Sequence, residues 1–282
     1  MKKTNFLLGM AAMVLVWTGS NALAITCSIG NPLDVTASGA CGDINGSKIF
    51  HVDLSESSGT GVFEPFVRIQ GSADQKGVNT GAVFTPGDLF DTKTSHTTSL
   101  LLSQIPKVTI GGIHYLEFAL DMGEPGNAGS PQSFLDIVEG QFFIAPSGTL
   151  LPTTFTGEIL NVTGAPPKYR LDATTDKDII LMDDLNSGNG RIDYLWYIPA
   201  DPFGSDGSQF VYFYSAYGRA GGSFEEWGTC RDPNNRNLPL SCAGRAGVPV
   251  DPPQVPEPSA SILLGSGLLL LSSFARSRGP RP

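Results

Sequence analysis

An all-β fold, a β-sandwich that admits a jelly-roll-like arrangement, is what this 282-residue sequence predicts, and three observations predict it. Runs at 48–54, 62–69, 108–110, 113–120, 134–145, 178–183, 192–199 and 209–214 have strand length and are rich in β-branched and aromatic residues. Between them stand clusters drawn from an unusually large stock of turn formers, 34 glycines and 21 prolines. Apart from the two ends of the chain, no 3.6-residue apolar stripe persists beyond about two turns, so helices have little to bury.

In chain order, the first element is an export signal. Lys2 and Lys3 make a positive start, an apolar stretch runs to Trp17, and Ala22 and Ala24 flank small-residue positions suited to signal peptidase. Residues 1–24 are therefore expected to be removed after passage through the Sec machinery. The body, 25–247, follows as one β-sandwich domain. Within it, Leu116, Phe118 and Leu120 alternate with Tyr115, Glu117 and Ala119, and Ile192, Tyr194, Trp196 and Ile198 share a period of two. Both patterns suit sheets with one buried face. The polar segment 183–190 between two apolar runs reads as a hairpin loop. Residues 248–258 are proline-rich and read as an extended, semi-rigid spacer.

After the spacer, 259–274 is 16 residues without a charge. At about 1.5 Å per residue it spans about 24 Å, short for a hydrocarbon core of about 30 Å but long enough to insert. A transmembrane helix is assigned to 259–275. Arg276, Arg278 and Arg281 in the tail 276–282 hold the C-terminus in the cytoplasm by the positive-inside rule, so the body faces outward.

Composition bounds the function. All 27 acidic residues lie between the two targeting segments, which leave 13 of the 18 basic residues there, a net charge near −14. Such a body is a poor partner for nucleic acid or anionic membranes. Cys27, Cys41, Cys230 and Cys242 form an even set bound for an oxidising compartment, where disulfides are expected. Of three connectivities, the local one, 27 with 41 and 230 with 242, closes two short loops that pin the ends of the domain. The cysteines show neither a CxxC spacing nor a nearby histidine, so zinc has no support.

Candidate chemistry is sparse. His51, His96 and His114 lack metal-ligand spacing. Asp184, Asn186, Asn189 and Asp193 offer oxygen ligands over a short span, the chemistry calcium prefers, although an ordinary turn uses the same residue types. No other cofactor is implied. Glu225 and Glu226 are adjacent and point to opposite faces of a strand, so they cannot form a hydrolytic pair unaided; Glu117 with Asp136 or Glu139 is the distant alternative. No G-x-S-x-G elbow appears. Tyr214, Tyr217 and Trp227, in a late aromatic cluster, are candidates to stack on sugars, with core packing as the other explanation.

The tail carries a resemblance. Val255-Pro256-Glu257-Pro258, the Leu/Gly-rich span and the arginines Arg276, Arg278 and Arg281 resemble the PEP-CTERM sorting signal of Gram-negative bacteria. The resemblance covers about a tenth of the chain. It implies recognition by exosortase, a membrane-embedded cysteine transpeptidase, and cleavage near the Pro-Glu-Pro box. It further implies an inner-membrane-anchored precursor, a mature form at the cell surface or in the extracellular matrix, and association with exopolysaccharide. The segments 115–121, 133–144, 186–198 and Phe224-Glu225-Glu226-Trp227 also resemble exported PEP-CTERM proteins with related motifs, which implies one continuous domain and no activity. The expected function is thus a non-catalytic exported protein, with a carbohydrate-binding module and a glycan-acting hydrolase as alternatives.

Overall fold

The computed structural model describes residues 26–54, 62–71, 73–84, 89–125, 129–162, 164, 166–183 and 191–252. The signal peptide with Ala22 and Ala24, the Pro-Glu-Pro box, the span 259–275, the arginine tail, and Asp184, Asn186 and Asn189 lie outside them. Among the described residues no helix is long and apolar enough to cross a membrane.

In chain order the strands are β1 (Leu33–Asp34), β2 (Cys41–Ile44), β3 (Ser47–Leu54), β4 (Phe63–Ile69), β5 (Ala73–Val78), β6 (Leu100–Leu101), β7 (Lys107–Ile110), β8 (Ile113–Met122) and β9 (Phe134–Ala145). They continue with β10 (Phe155–Thr156), β11 (Ile159–Leu160), β12 (Tyr169–Arg170), β13 (Ile179–Met182), β14 (Ile192–Pro199), β15 (Phe210–Ala220), β16 (Glu225–Asp232) and β17 (Asn235–Pro239). The all-β class is as the sequence predicts, and each of the eight runs read from it carries a strand.

A seven-stranded sheet runs β1-β13-β9-β15-β5, with β12 on β9 and β6 on β15; an eight-stranded sheet runs β17-β16-β8-β14-β3-β2, with β4 on β16 and β7 on β8. The sheets face each other across one apolar layer, a sandwich-like architecture. Trp196 on β14 meets Phe142 on β9 edge-on at 5.7 Å, and Phe213 on β15 meets Trp227 on β16 edge-on at 5.0 Å. Gly140 on β9 makes room for this contact. A Cβ there would stand 2.5 Å from Cη2 of Trp196.

Each sheet is also covered on its outer face, which corrects the expectation of one buried face. On the eight-stranded sheet, Phe50, Val52, Leu195, Tyr197 and Tyr115 pack beneath Cys230, Cys242, Ala243 and Val248. On the seven-stranded sheet, Phe143, Tyr212 and Tyr214 pack beneath Phe84, Phe90, Leu160 and Val162. Leu116, Phe118 and Leu120 do line the inter-sheet core, with Tyr115 and Ala119 opposite. In β14, Tyr194, Trp196 and Ile198 join the core but Ile192 joins the outer cluster, because the register shifts between Ile192 and Tyr194.

Two further corrections concern connections. The apolar strands on either side of 183–190 are not hairpin partners: β13 pairs with β9 and β1 in one sheet, β14 with β3 and β8 in the other. The segment links the two sheets. Turn-forming residues show where a chain bends, not which neighbour the next strand finds. The described part of the stretch read as a spacer, 248–252, is held against the body, since Val248 is buried and the Asp251 amide donates to the Thr109 carbonyl at 2.7 Å. Asp251 then accepts from the amides of Gly111 and Gly112 at 3.3 and 2.7 Å, which fastens this C-terminal strap to the β7–β8 turn.

The disulfides are the local pair, Cys27–Cys41 and Cys230–Cys242, with sequence separations of 14 and 12. The first ties the segment before β1 onto β2, reinforced by the Ser28 amide donating to the Cys41 carbonyl at 2.8 Å. The second closes the strap over β16. Loops of this size each contribute about 3 kcal/mol through the unfolded chain.

Candidate functional site

The aromatics proposed from the sequence for sugar stacking separate into two environments. Tyr217 and Trp227 are sealed in the inter-sheet core, which removes them as a platform. The indole Nε1 of Trp227 and the hydroxyl of Ser215 both donate to the Tyr217 hydroxyl, and burial pushes that phenol far above its ordinary value. An aromatic on a strand between two facing sheets has no open side. Tyr214 faces the other way, into the outer cluster, and lines a cleft.

That cleft, about 310 Å³, lies between β5, β9 and β15 on one side and the β10–β11 hairpin on the other. Phe155 and Tyr214 form an aromatic corner, edge to face at 5.4 Å. Lys76 stands over the Phe155 ring, its Nζ 5.8 Å from the centroid. Glu139, Glu158, Asp172 and Asp176 supply carboxylates. Arg170 engages Glu139 at 3.2 Å and Glu158 at 3.7 Å. Asp172 accepts from the Lys177 amide at 2.8 Å, and its carboxyl is pushed up to about 7, chiefly by burial, with Glu139 and Asp176 adding repulsion. Of these groups the sequence singled out Tyr214, for sugar stacking, and Glu139, as a distant carboxylate partner for Glu117. The others come from four separate segments, and nothing in their local patterns signals convergence.

The calcium set divides similarly. Asp193 is buried in β14, where its Oδ2 accepts from the Met122 amide of the neighbouring strand at 2.8 Å. A carboxylate satisfying a strand amide serves the sheet. The one cluster of metal-type ligands among the described residues is Glu117, Cys230 and Cys242, and there both sulfurs are joined in a disulfide. The Glu117 carboxylate instead organises the strap: it accepts from the Cys242 amide at 2.7 Å, the Ser241 hydroxyl at 2.5 Å and the Tyr197 hydroxyl at 3.1 Å. It cannot pair with Asp136 or Glu139, which lie on β9 of the other sheet and face Arg219 and Arg170.

Glu225 and Glu226 point apart, as their adjacency on β16 requires, and both are buried. Glu226 meets Arg68 at 2.6 Å. Glu225 accepts from the Gln75 amide and lies beside the carboxyl of Glu124, whose Oε2 accepts from the Gly221 amide at 2.7 Å. Among the described residues the Oε1 atoms of Glu124 and Glu225 are both buried without a donor, an arrangement that one shared proton would satisfy. Burial raises the pKa of both, and for Glu225 the neighbouring Glu124 carboxyl raises it further. A carboxyl whose folded pKa lies above its unfolded value of 4.5 binds its proton more tightly when folded. Its contribution is therefore complete below pH 4.5 and is lost as pH rises from there toward the folded pKa. Glu225→Gln, which keeps an acceptor for Gln75 and a donor for Glu124, is expected to melt higher than the native chain at pH 7–8 and to match it at pH 4. Parallel melting curves at both pH values would disprove the shared proton.

Of the histidines, His51 stacks on Tyr194 at 4.4 Å within the sheet, His114 takes a 3.0 Å contact from the Thr109 hydroxyl, and His96 lies in a short turn beside Ser95. His114 also borders a cavity of about 650 Å³, an open groove with Lys107, Asp201 and Ser205. Compared with protein-family models, with characterised proteins and with solved structures, the chain matches none of them.

Proposed function

We propose that this chain is a non-catalytic exported protein of the cell surface or extracellular matrix, delivered by its signal peptide and released or transferred by exosortase at Val255-Pro256-Glu257-Pro258. The observation that carries the reading is the pair of disulfides closed within the body, Cys27–Cys41 and Cys230–Cys242, which belongs to an oxidising compartment outside the cytoplasm. The strap supports it. Glu117, the second disulfide and Asp251 hold the chain against the β7–β8 hairpin up to the last described residues, Asp251 and Pro252, so the sorting box follows a few residues after a fixed point of exit.

Mass spectrometry of the protein from cell surface and medium, beside a strain lacking exosortase, tests this. A chain ending near Pro256–Glu257–Pro258 only when the enzyme is present is the expected result, and any added mass identifies a carrier. Retention of Arg276, Arg278 and Arg281 in both strains would make the tail a plain membrane anchor and overturn the processed form.

A further inference from the structure

The cleft beside Tyr214 holds three polar groups that the fold itself leaves unused. Tyr214 is only 5% exposed, its ring packed against Phe90 and Phe155, yet its hydroxyl has no partner among the described residues. That oxygen is not among the buried polar atoms without a partner, so solvent in the cleft reaches it and a ligand hydroxyl can take the solvent's place. Lys76 has its ammonium over the Phe155 ring and no carboxylate in ion-pair reach among the described residues. Asp172 commits one oxygen to the Lys177 amide and has the other available. By contrast, Glu139 is committed to Arg170 and to the Gly140 amide, so it acts as scaffold.

We propose that this cleft binds one ring of a neutral glycan, with an apolar C–H face against Phe155 and ring hydroxyls meeting the Tyr214 hydroxyl, the Lys76 ammonium and Asp172. A rigid aromatic wall flanked by a few convergent groups, both donors and acceptors, is the chemistry that a polyhydroxylated ring requires. A metal ion is a poor fit, because the carboxylates of the cleft do not come close enough together to form a ligand set. An acidic glycan would meet Glu139, Glu158, Asp172 and Asp176 against only Lys76 and Arg170. A cationic one would have to sit beside the unpaired Lys76. The proposal holds whether or not the C-terminal tail is processed, so its failure and that of the sorting reading are separate results.

The test is calorimetric titration of the exported protein with cellohexaose and laminarihexaose as neutral probes, an alginate hexamer as the acidic one and a chitosan hexamer as the cationic one. Heat with at least one neutral probe, exceeding both charged ones, is expected. Tyr214→Phe should weaken it about tenfold, the equivalent of one lost hydrogen bond, and Phe155→Ala by at least as much. Because the hydroxyl is unpartnered in the free protein, Tyr214→Phe should leave the unfolding midpoint in place, which separates a ligand contact from a structural one. No heat with either neutral probe, stronger binding of a charged probe, or neutral binding indifferent to both variants would overturn the proposal. Cleavage products from a neutral probe would support the glycan site and end the non-catalytic reading.

Discussion

Trp196→Ala is expected to cost about 3–5 kcal/mol, the range for emptying a large aromatic site in a packed core. Domains of this kind have about 5–15 kcal/mol in total, so the variant should lose much of its resistance to denaturant. Trp196 sits where the two sheets meet: its ring contacts Phe142, Tyr169, Phe213 and Trp227 with centroids 5.7–6.0 Å away, and its Nε1 donates to the Ser47 hydroxyl at 3.0 Å. The partner experiment is Gly140→Ala. Its new Cβ would overlap Cη2 of the native indole, so alone it should cost about 1–3 kcal/mol. In the Trp196→Ala background the space is open and the penalty should largely vanish. Chemical denaturation of the four chains measures the coupling. Additive effects would mean that β9 does not close on Trp196.

Glu117→Ala is expected to cost about 3 kcal/mol or more, even with the Cys230–Cys242 bond intact. The carboxylate is fully buried, and its removal strands the Cys242 amide and the hydroxyls of Ser241 and Tyr197 without an acceptor. A buried donor left unpaired costs about 1–3 kcal/mol, and three share this pocket. Since these contacts hold the strap at its start, the variant should also expose Arg245, on the surface turn after Cys242, to faster cutting by trypsin. An unfolding midpoint within about 1 kcal/mol of native, with Arg245 cut no faster, would show that the disulfide alone holds the strap. Desolvation raises the pKa of Glu117 above 4.5 against the pull of its donors, so it acts in the same direction as Glu225: stability falls as pH rises from there.

Much of this fold was legible because strand length and residue type are local properties. The runs that became β9 and β14 were bounded as the structure has them, since their apolar residues leave no other use for an extended chain. What went unread was polar. Ala73–Val78 and Glu225–Asp232 look like surface, yet β5 pairs with β15, and β16 lies between β4, β17 and β8 with Glu225, Glu226 and Arg231 buried. They are tolerable there only because Arg68 meets Glu226 and Gln75 donates to Glu225. Those partners are 150 residues or more away in the chain, beyond the reach of any local pattern.

The candidate site divides in the same way. Tyr214, Tyr217 and Trp227 are alike by residue type and close in sequence, but alternation along β15 sends Tyr214 to the outer cleft and Tyr217 to the core, where Trp227 arrives on β16 of the facing sheet. By itself the sequence determined the all-β class, the even cysteine set and the acidic body, because composition and short-range periodicity are enough to specify them. Only the tertiary structure decided which sheet each strand joined, that 183–190 links sheets instead of closing a hairpin, and that Lys76, Phe155, Asp172 and Tyr214 share one cleft. Those outcomes depend on the best simultaneous burial of four apolar sheet faces, a long-range condition that no single segment carries.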